Sequence, residues 1–170
     1  MKHLIYIGLL ACLLFSCKEK EKEVSSVDPV NWEKRKATLP AKDSVEVGES
    51  YLSVYSQIYS QTEHLKHGLT ATISIRNTSV SDTLYVLKAS YYNTHGALIR
   101  SYFNHPIYLV PMETVEIVID EVDTSGGTGA NFLFDWQIND KAPEPLFEAV
   151  MISTSGQQGL SFKTEGKRVK

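Results

Sequence analysis

The sequence predicts an all-β protein: an antiparallel two-sheet sandwich, immunoglobulin-like in the broad sense, with about eight or nine strands. Two observations carry that prediction. Apolar and polar residues alternate with a period of two in several runs, the pattern of strands buried on one face. Those runs are punctuated by Gly, Asn, Asp and Pro clusters that make turns. A third observation excludes the main competitor, since no long amphipathic helical pattern follows the first sixteen residues. Two packed sheets are the economical way to bury such one-sided faces. The Cys-Trp-Cys pattern of antibody domains is absent, which leaves the strand topology open.

Residues 1–16, "MKHLIYIGLLACLLFS", have the anatomy of a secretory signal peptide: Lys2, an apolar core from Leu4 to Phe15, and small Ser16 before Cys17. The core is too short for a bilayer of roughly 30 Å, which needs about 20 apolar helical residues. Leu14-Phe15-Ser16-Cys17 resembles the bacterial lipobox, whose cysteine is acylated, by palmitate-type chains, and becomes the mature N-terminus. Phe15 is bulkier than the residue usual there. Cys17 is the expected lipidation site, and Cys12 would leave with the signal. Residues 17–50 are then expected to be the lipidated cysteine and a flexible charged linker. "KEKEKE" alternates sign, and Pro29 and Pro40 stand among few large apolar side chains, with Trp32 as the exception.

The β-domain is expected over 51–166. "YLSVYSQIYSQTEHLKH" opens it; Tyr51, Tyr55 and Tyr59 suit a helix face or a strand face, and Val54 and Ile58 between serines favour strand. "LTATISIRN" alternates Leu69, Ala71, Ile73 and Ile75 with Thr70, Thr72 and Ser74. "TLYVLKASYYN" is a β-rich run ended by the turn signal Asn93-Thr94-His95-Gly96. "TVEIVID" puts Val115, Ile117 and Ile119 on one face. "NFLFDWQI" does the same with Phe132, Phe134, Trp136 and Ile138, leaving Asp135 and Gln137 opposite. "LFEAVMIST" and "GLSFKTE" close the domain around "SGQQG", and 167–170 reads as a basic tail.

Charge narrows the function classes. From Tyr51 to Phe162 five Lys/Arg stand against eleven Asp/Glu, a net charge of −6. An acidic body offers no footprint for nucleic acid. The stretch with the most chemistry is "DEVDTSGGTGANFLFDW", residues 120–136. As a dinucleotide fingerprint it fails, because Phe132 stands where the third glycine belongs and a strand, not a helix, follows. As an aspartic-protease triplet it fails, with glycine one position late after Asp123. As an EF-hand starting at Asp123 it has Phe134 where the closing Glu is needed. An irregular Ca²⁺ site from Asp120, Glu121, Asp123, Asn131 or Asp135 stays open beside the plainer reading of solvated turn acids.

No histidine set has the ligands of a zinc site, no Gly-x-Ser-x-Gly elbow occurs, and no cofactor motif is present. No catalytic residue is assigned. The favoured expectation is a membrane-anchored envelope module with a binding or structural role, whose loops at one end contact a protein or glycan partner. Its candidate contact loop is Asp123, Ser125, Gly126, Gly127, Gly129, Asn131 and Asp135, and its second candidate is an aromatic surface of Tyr51, Tyr55 and Tyr59. The alternative is a hydrolase, or a metal- or small-ligand-binding protein, using loop acids such as Glu121, Asp123 and Asp135. An enzyme would bring at least two of these acids together in a concavity.

"YYNTHGALIR", "PIYLVPMETVEIVIDEVDTSGGTGANFLFDW", "EPLFEAVMIST" and "GQQGLSF" together resemble the bacterial lipoprotein family catalogued as domain of unknown function 3124, over about Val45 to Arg168. The resemblance implies a bacterial envelope lipoprotein with one β-rich domain. The expected location is the outer membrane, lipid-anchored and facing either the periplasm or the surface. It implies no activity and transfers no site residue.

Overall fold

The computed structural model of the chain describes residues 30–40, 44–154 and 159–170. The expected signal, Cys17 and the "KEKEKE" run lie outside the described residues. The fold is an all-β antiparallel sandwich. Twelve strands form among the described residues: β1 (Val45–Val54), β2 (Gln57–Ser60), β3 (Thr62–Gly68), β4 (Thr70–Arg76), β5 (Leu84–Tyr92), β6 (Leu98–Ser101), β7 (Ile107–Leu109), β8 (Thr114–Ile119), β9 (Ala130–Asn139), β10 (Leu146–Ser153), β11 (Leu160–Glu165) and β12 (Lys167–Arg168). The excess over eight or nine comes from strands such as β7 and β12, too short at three and two residues to show alternation.

The larger sheet runs β12-β1-β9-β5-β6, with β7 also on β5; the smaller runs β11-β10-β4-β8; β2 and β3 form a separate hairpin. β9 is the spine of the larger sheet. Its alternation puts Phe132, Phe134, Trp136 and Ile138 inside, and it pairs with β1 along its whole length, from Val45↔Asn139 to Val54↔Ala130. Facing it, β4, β8 and β10 bury Ala71, Ile73, Ile75, Val115, Ile117, Ile119, Phe147, Ala149 and Met151. The two layers interlock through stacked rings. Centroids lie 4.8 Å apart for Tyr91–Phe132, 5.3 Å for Phe132–Phe134 and 4.4 Å for Phe134–Phe147, the last pair crossing between sheets.

β5 explains why its sequence lacked clean alternation. The ladder to β9 slips between Val86 and Lys88, so Leu84 and Val86 point inward before the irregularity and Ala89 and Tyr91 after it. One extra residue in a strand flips the phase of everything beyond it.

Both flanks of the 51–166 body extend further than expected. Within 17–50, Trp32–Arg35 form a 3-10 turn, with the Asn31 side chain accepting the Lys34 N–H at 3.2 Å, and Val45–Ser50 already belong to β1. Trp32 packs on Phe103 at 5.0 Å between centroids, Arg35 pairs with Glu113 at 2.7 Å, and the Ala37 N–H donates to Pro106 O at 2.9 Å. The indole on Phe103, the Arg35–Glu113 pair and the backbone bonds to Pro106 and Ile107 act together to hold a segment whose composition is that of a linker. The basic tail is likewise docked. Lys167 and Arg168 pair with β1, and Arg168 forms ion pairs with Glu46 and Glu144 while lying 5.1 Å from the Trp136 ring centroid. Gly166 makes the switch from the smaller sheet to the larger possible, because a side chain there would press on Phe147 Cβ at 2.9 Å.

Candidate functional site

The glycine loop joins β8 to β9 and is tied down on three sides. Asp120 opens it, its carboxylate accepting the Val122 N–H at 3.0 Å in an Asx turn. Asp123 is then buried rather than solvated. Its carboxylate accepts Arg100 at 2.9 Å and the Ser125 hydroxyl and N–H at 2.5 and 3.2 Å. Burial opposes the charged form, but the hydrogen bonds from Ser125 and Arg100 outweigh it and hold the carboxyl below the ordinary aspartate range.

Gly126 lies against the buried Tyr91 and Ser56 hydroxyls, which are 2.7 Å apart. Burial pushes the Tyr91 phenol up to about 12. Gly127 takes a left-handed φ of +74° and begins a 3-10 turn over Gly127–Gly129. The loop's carbonyls are taken by distant segments. The Ser56 N–H donates to Gly127 O at 3.1 Å, and Thr94 donates both its N–H and its hydroxyl to Gly126 O at 3.0 Å. The Gly129 N–H in turn donates to Thr94 Oγ1 at 3.0 Å. Thr94 is thus a clamp that the sequence reading passed over as part of a turn signal.

This clamping builds a concavity of about 340 Å³ from three segments remote in sequence. One wall is the β2–β3 hairpin face with Gln57, Tyr59 and Lys66, the last two being direct cross-strand partners. A second is the β5–β6 turn with Asn93, Thr94 and His95. The third is Thr124, Ser125, Gly126, Gly127 and Thr128 of the glycine loop. Tyr59 is 56% exposed and the Lys66 ammonium lies 5.3 Å from its ring centroid, so an open aromatic surface and a positive charge share one wall.

The sequence candidates separate on this geometry. Ser125, Gly126, Gly127 and Tyr59 line the concavity. Asp123 lies beneath it as part of its foundation, and Gly129 contributes the N–H held by Thr94. Asn131 and Asp135 face outward from β9, in register with Ser53 and Glu49 respectively, and do not line it. The tyrosine row does not form one face. Tyr51 is on β1, Tyr55 is in the connection with its ring 5.7 Å from Phe162, and Tyr59 is on β2.

Residues 47–169 match the family described as protein of unknown function (DUF3124). The chain belongs to that family. The crystal structure of Thermotoga maritima 1070 is similar with a TM-score of 0.45 at 10% identity, over 71% of this chain and 92% of that one. No curated protein matches the chain. Among the described residues of this family member no carboxylate lines the concavity, and no group of three or more His, Cys, Asp or Glu side chains could hold a metal ion. The paired acids that a loop hydrolase needs do not meet there: Asp123 is committed to Arg100, while Asp135 sits on the sheet face. What the arrangement offers is hydrogen bonding, an aromatic ring and a cation.

Proposed function

We propose that this protein is a lipid-anchored module of the bacterial envelope whose sandwich presents a binding site at the concavity beside the glycine loop. The observation that carries the binding half is the convergence of the β2–β3 hairpin, the β5–β6 turn and the β8–β9 loop around an exposed tyrosine. Aromatic rings combine apolar area with a polar handle and recur at recognition surfaces. The clamping by Thr94 and Ser56 supports the same reading, since a loop fixed in advance loses little freedom on binding.

The anchoring half rests on the sequence: an apolar core too short to span, Ser16-Cys17, and the charged run that follows. Acyl chains on Cys17 anchor without a spanning helix, at roughly 0.8 kcal/mol per buried methylene. No helix among the described residues is long and apolar enough to cross a membrane.

Photocrosslinking in cells from positions 59 and 128 tests the binding half. Asp123 and Tyr55 are unsuitable as probes, being buried and packed on Phe162 respectively. One reproducible adduct from both positions is expected; diffuse labelling equal to that from an exposed site such as Val80 would overturn the reading. Cys17→Ala is expected to release the protein from the membrane fraction, and its full retention there would overturn the anchor.

A further inference from the structure

We infer that the concavity takes an acidic saccharide: a sugar ring bearing a carboxylate or phosphate. This rests on the binding reading above and adds the chemistry of the ligand. The first argument is electrostatic. The body from Tyr51 to Phe162 carries eleven acids against five Lys/Arg, yet no acid lines the concavity. Lys66 is one of those five and projects at its wall, with His95 on the opposite turn. An anion entering here meets an ammonium and no lining carboxylate.

The second argument concerns the ring. Tyr59 keeps 56% of its surface in water although it stands on a strand, and Lys66 beside it fixes where charge and ring sit relative to each other. A pyranose has an apolar face of C–H bonds that packs on such a ring, while its substituents reach outward to the cation.

The third argument concerns the hydroxyls. The Gln57 and Thr128 side chains make no hydrogen bond among the described residues, and both line the concavity. An amide supplies donor and acceptor together and a hydroxyl does the same, which is the complement a sugar's hydroxyls require. A volume near 340 Å³ lies at the small end of the range for ligand sites, about 300–1,000 Å³. It seats one or two rings of a short saccharide whose further ring extends past its open mouth, a better fit than a protein surface.

The test is calorimetric titration of the full-length protein with three probes: trigalacturonate, galactose 6-phosphate and neutral galactotriose. At least one acidic probe is expected to bind about tenfold tighter than the neutral one, the increment of one charge-assisted hydrogen bond. Which acidic probe binds separates a carboxylate from a phosphate ligand. Lys66→Gln should remove that preference and Tyr59→Ser should weaken all binding, with both variants melting at the wild-type temperature because both side chains are exposed. Equal binding of galactotriose would overturn the acidic-ligand inference and leave the binding site standing. Acidic binding unaffected by either variant would place the ligand elsewhere and overturn it. Failure of all three probes overturns it too, and the crosslinking from positions 59 and 128 then decides separately whether the site binds anything.

Discussion

A methyl group at Gly126 would collide with the Tyr91 hydroxyl and come within 2.5 Å of Ser56 Oγ, and both of those groups are buried. At Gly129 the same methyl would find Thr94 as its nearest neighbour, with Cγ2 at an ordinary 3.4 Å. Gly126→Ala is therefore expected to cost about 2 kcal/mol, the usual scale of overpacking, and Gly129→Ala to stay within about 0.5 kcal/mol. Urea denaturation of the two variants checks the contrast, and equal losses would remove the close-approach explanation. Asp123 makes a second prediction at this scale. Its carboxyl is held below the ordinary range, so its stabilisation is complete above the unfolded-state pKa of about 3.9 and is lost as the pH falls through the lower folded-state value. Asp123→Asn should cost about 1–3 kcal/mol at neutral pH, and the gap from wild type should narrow below about pH 4. A gap unchanged in urea midpoints down to pH 2.5 would assign the loss to packing instead. The sequence exposed the glycines and the acids of this loop but not their partners. Thr94 lies in the β5–β6 turn and Arg100 on β6 beyond it, and nothing in the chain's local pattern says that a fold will bring them to residues 126 and 123.

Strands were legible where one face meets the core and the other meets water without interruption. β8 shows that alternation in sequence and keeps it in burial, and β4 and β9 do so except at Ser74 and Gln137, which are buried although they stand on the polar face. β5 was legible only as β-rich, because its slip after Val86 moves the inward positions from even to odd. The run from Tyr51 to His67 read as strand, yet not as the end of β1 followed by a hairpin, since an alternating pattern does not report where pairing partners change. The segment around Trp32 was the least legible, its composition being that of a solvated tether. In the fold it covers the outer side of β7, through a bridge from Lys36 to Ile107, and so protects an edge that would otherwise be open to pairing. Trp32→Ala is expected to destabilise the protein by about 1–2 kcal/mol, less than a fully buried tryptophan would. It should also speed hydrogen exchange at the Ala37 amide, which bonds to Pro106 O, more than at amides of β9. Uniform acceleration across both segments would mean that this turn is part of the global unfolding unit rather than a strap upon it.

Among the described residues no hydrogen-bonded ladder joins the two sheets, and the chain passes between them at Gly166, so their union depends on side chains. The ring series Tyr91, Phe132, Phe134, Phe147 runs from beneath the glycine loop, through the spine of the larger sheet, to β10 of the smaller. It begins at the hydroxyl that contacts Ser56 and Gly126. The foundation of the proposed binding site and the contact between the layers are therefore parts of one packed column. Phe147 is its only ring from the smaller sheet, buried and stacked on Phe134 at 4.4 Å. Phe147→Ala should remove about 3–5 kcal/mol of stability. Because the column is continuous, the loss should appear as one cooperative transition, with the aromatic near-ultraviolet signal and the strand signal in the far ultraviolet melting together at the lower temperature. Melting of the aromatic signal well before the strands would show that the sheets persist without their shared core, and would separate the site's foundation from the union of the layers.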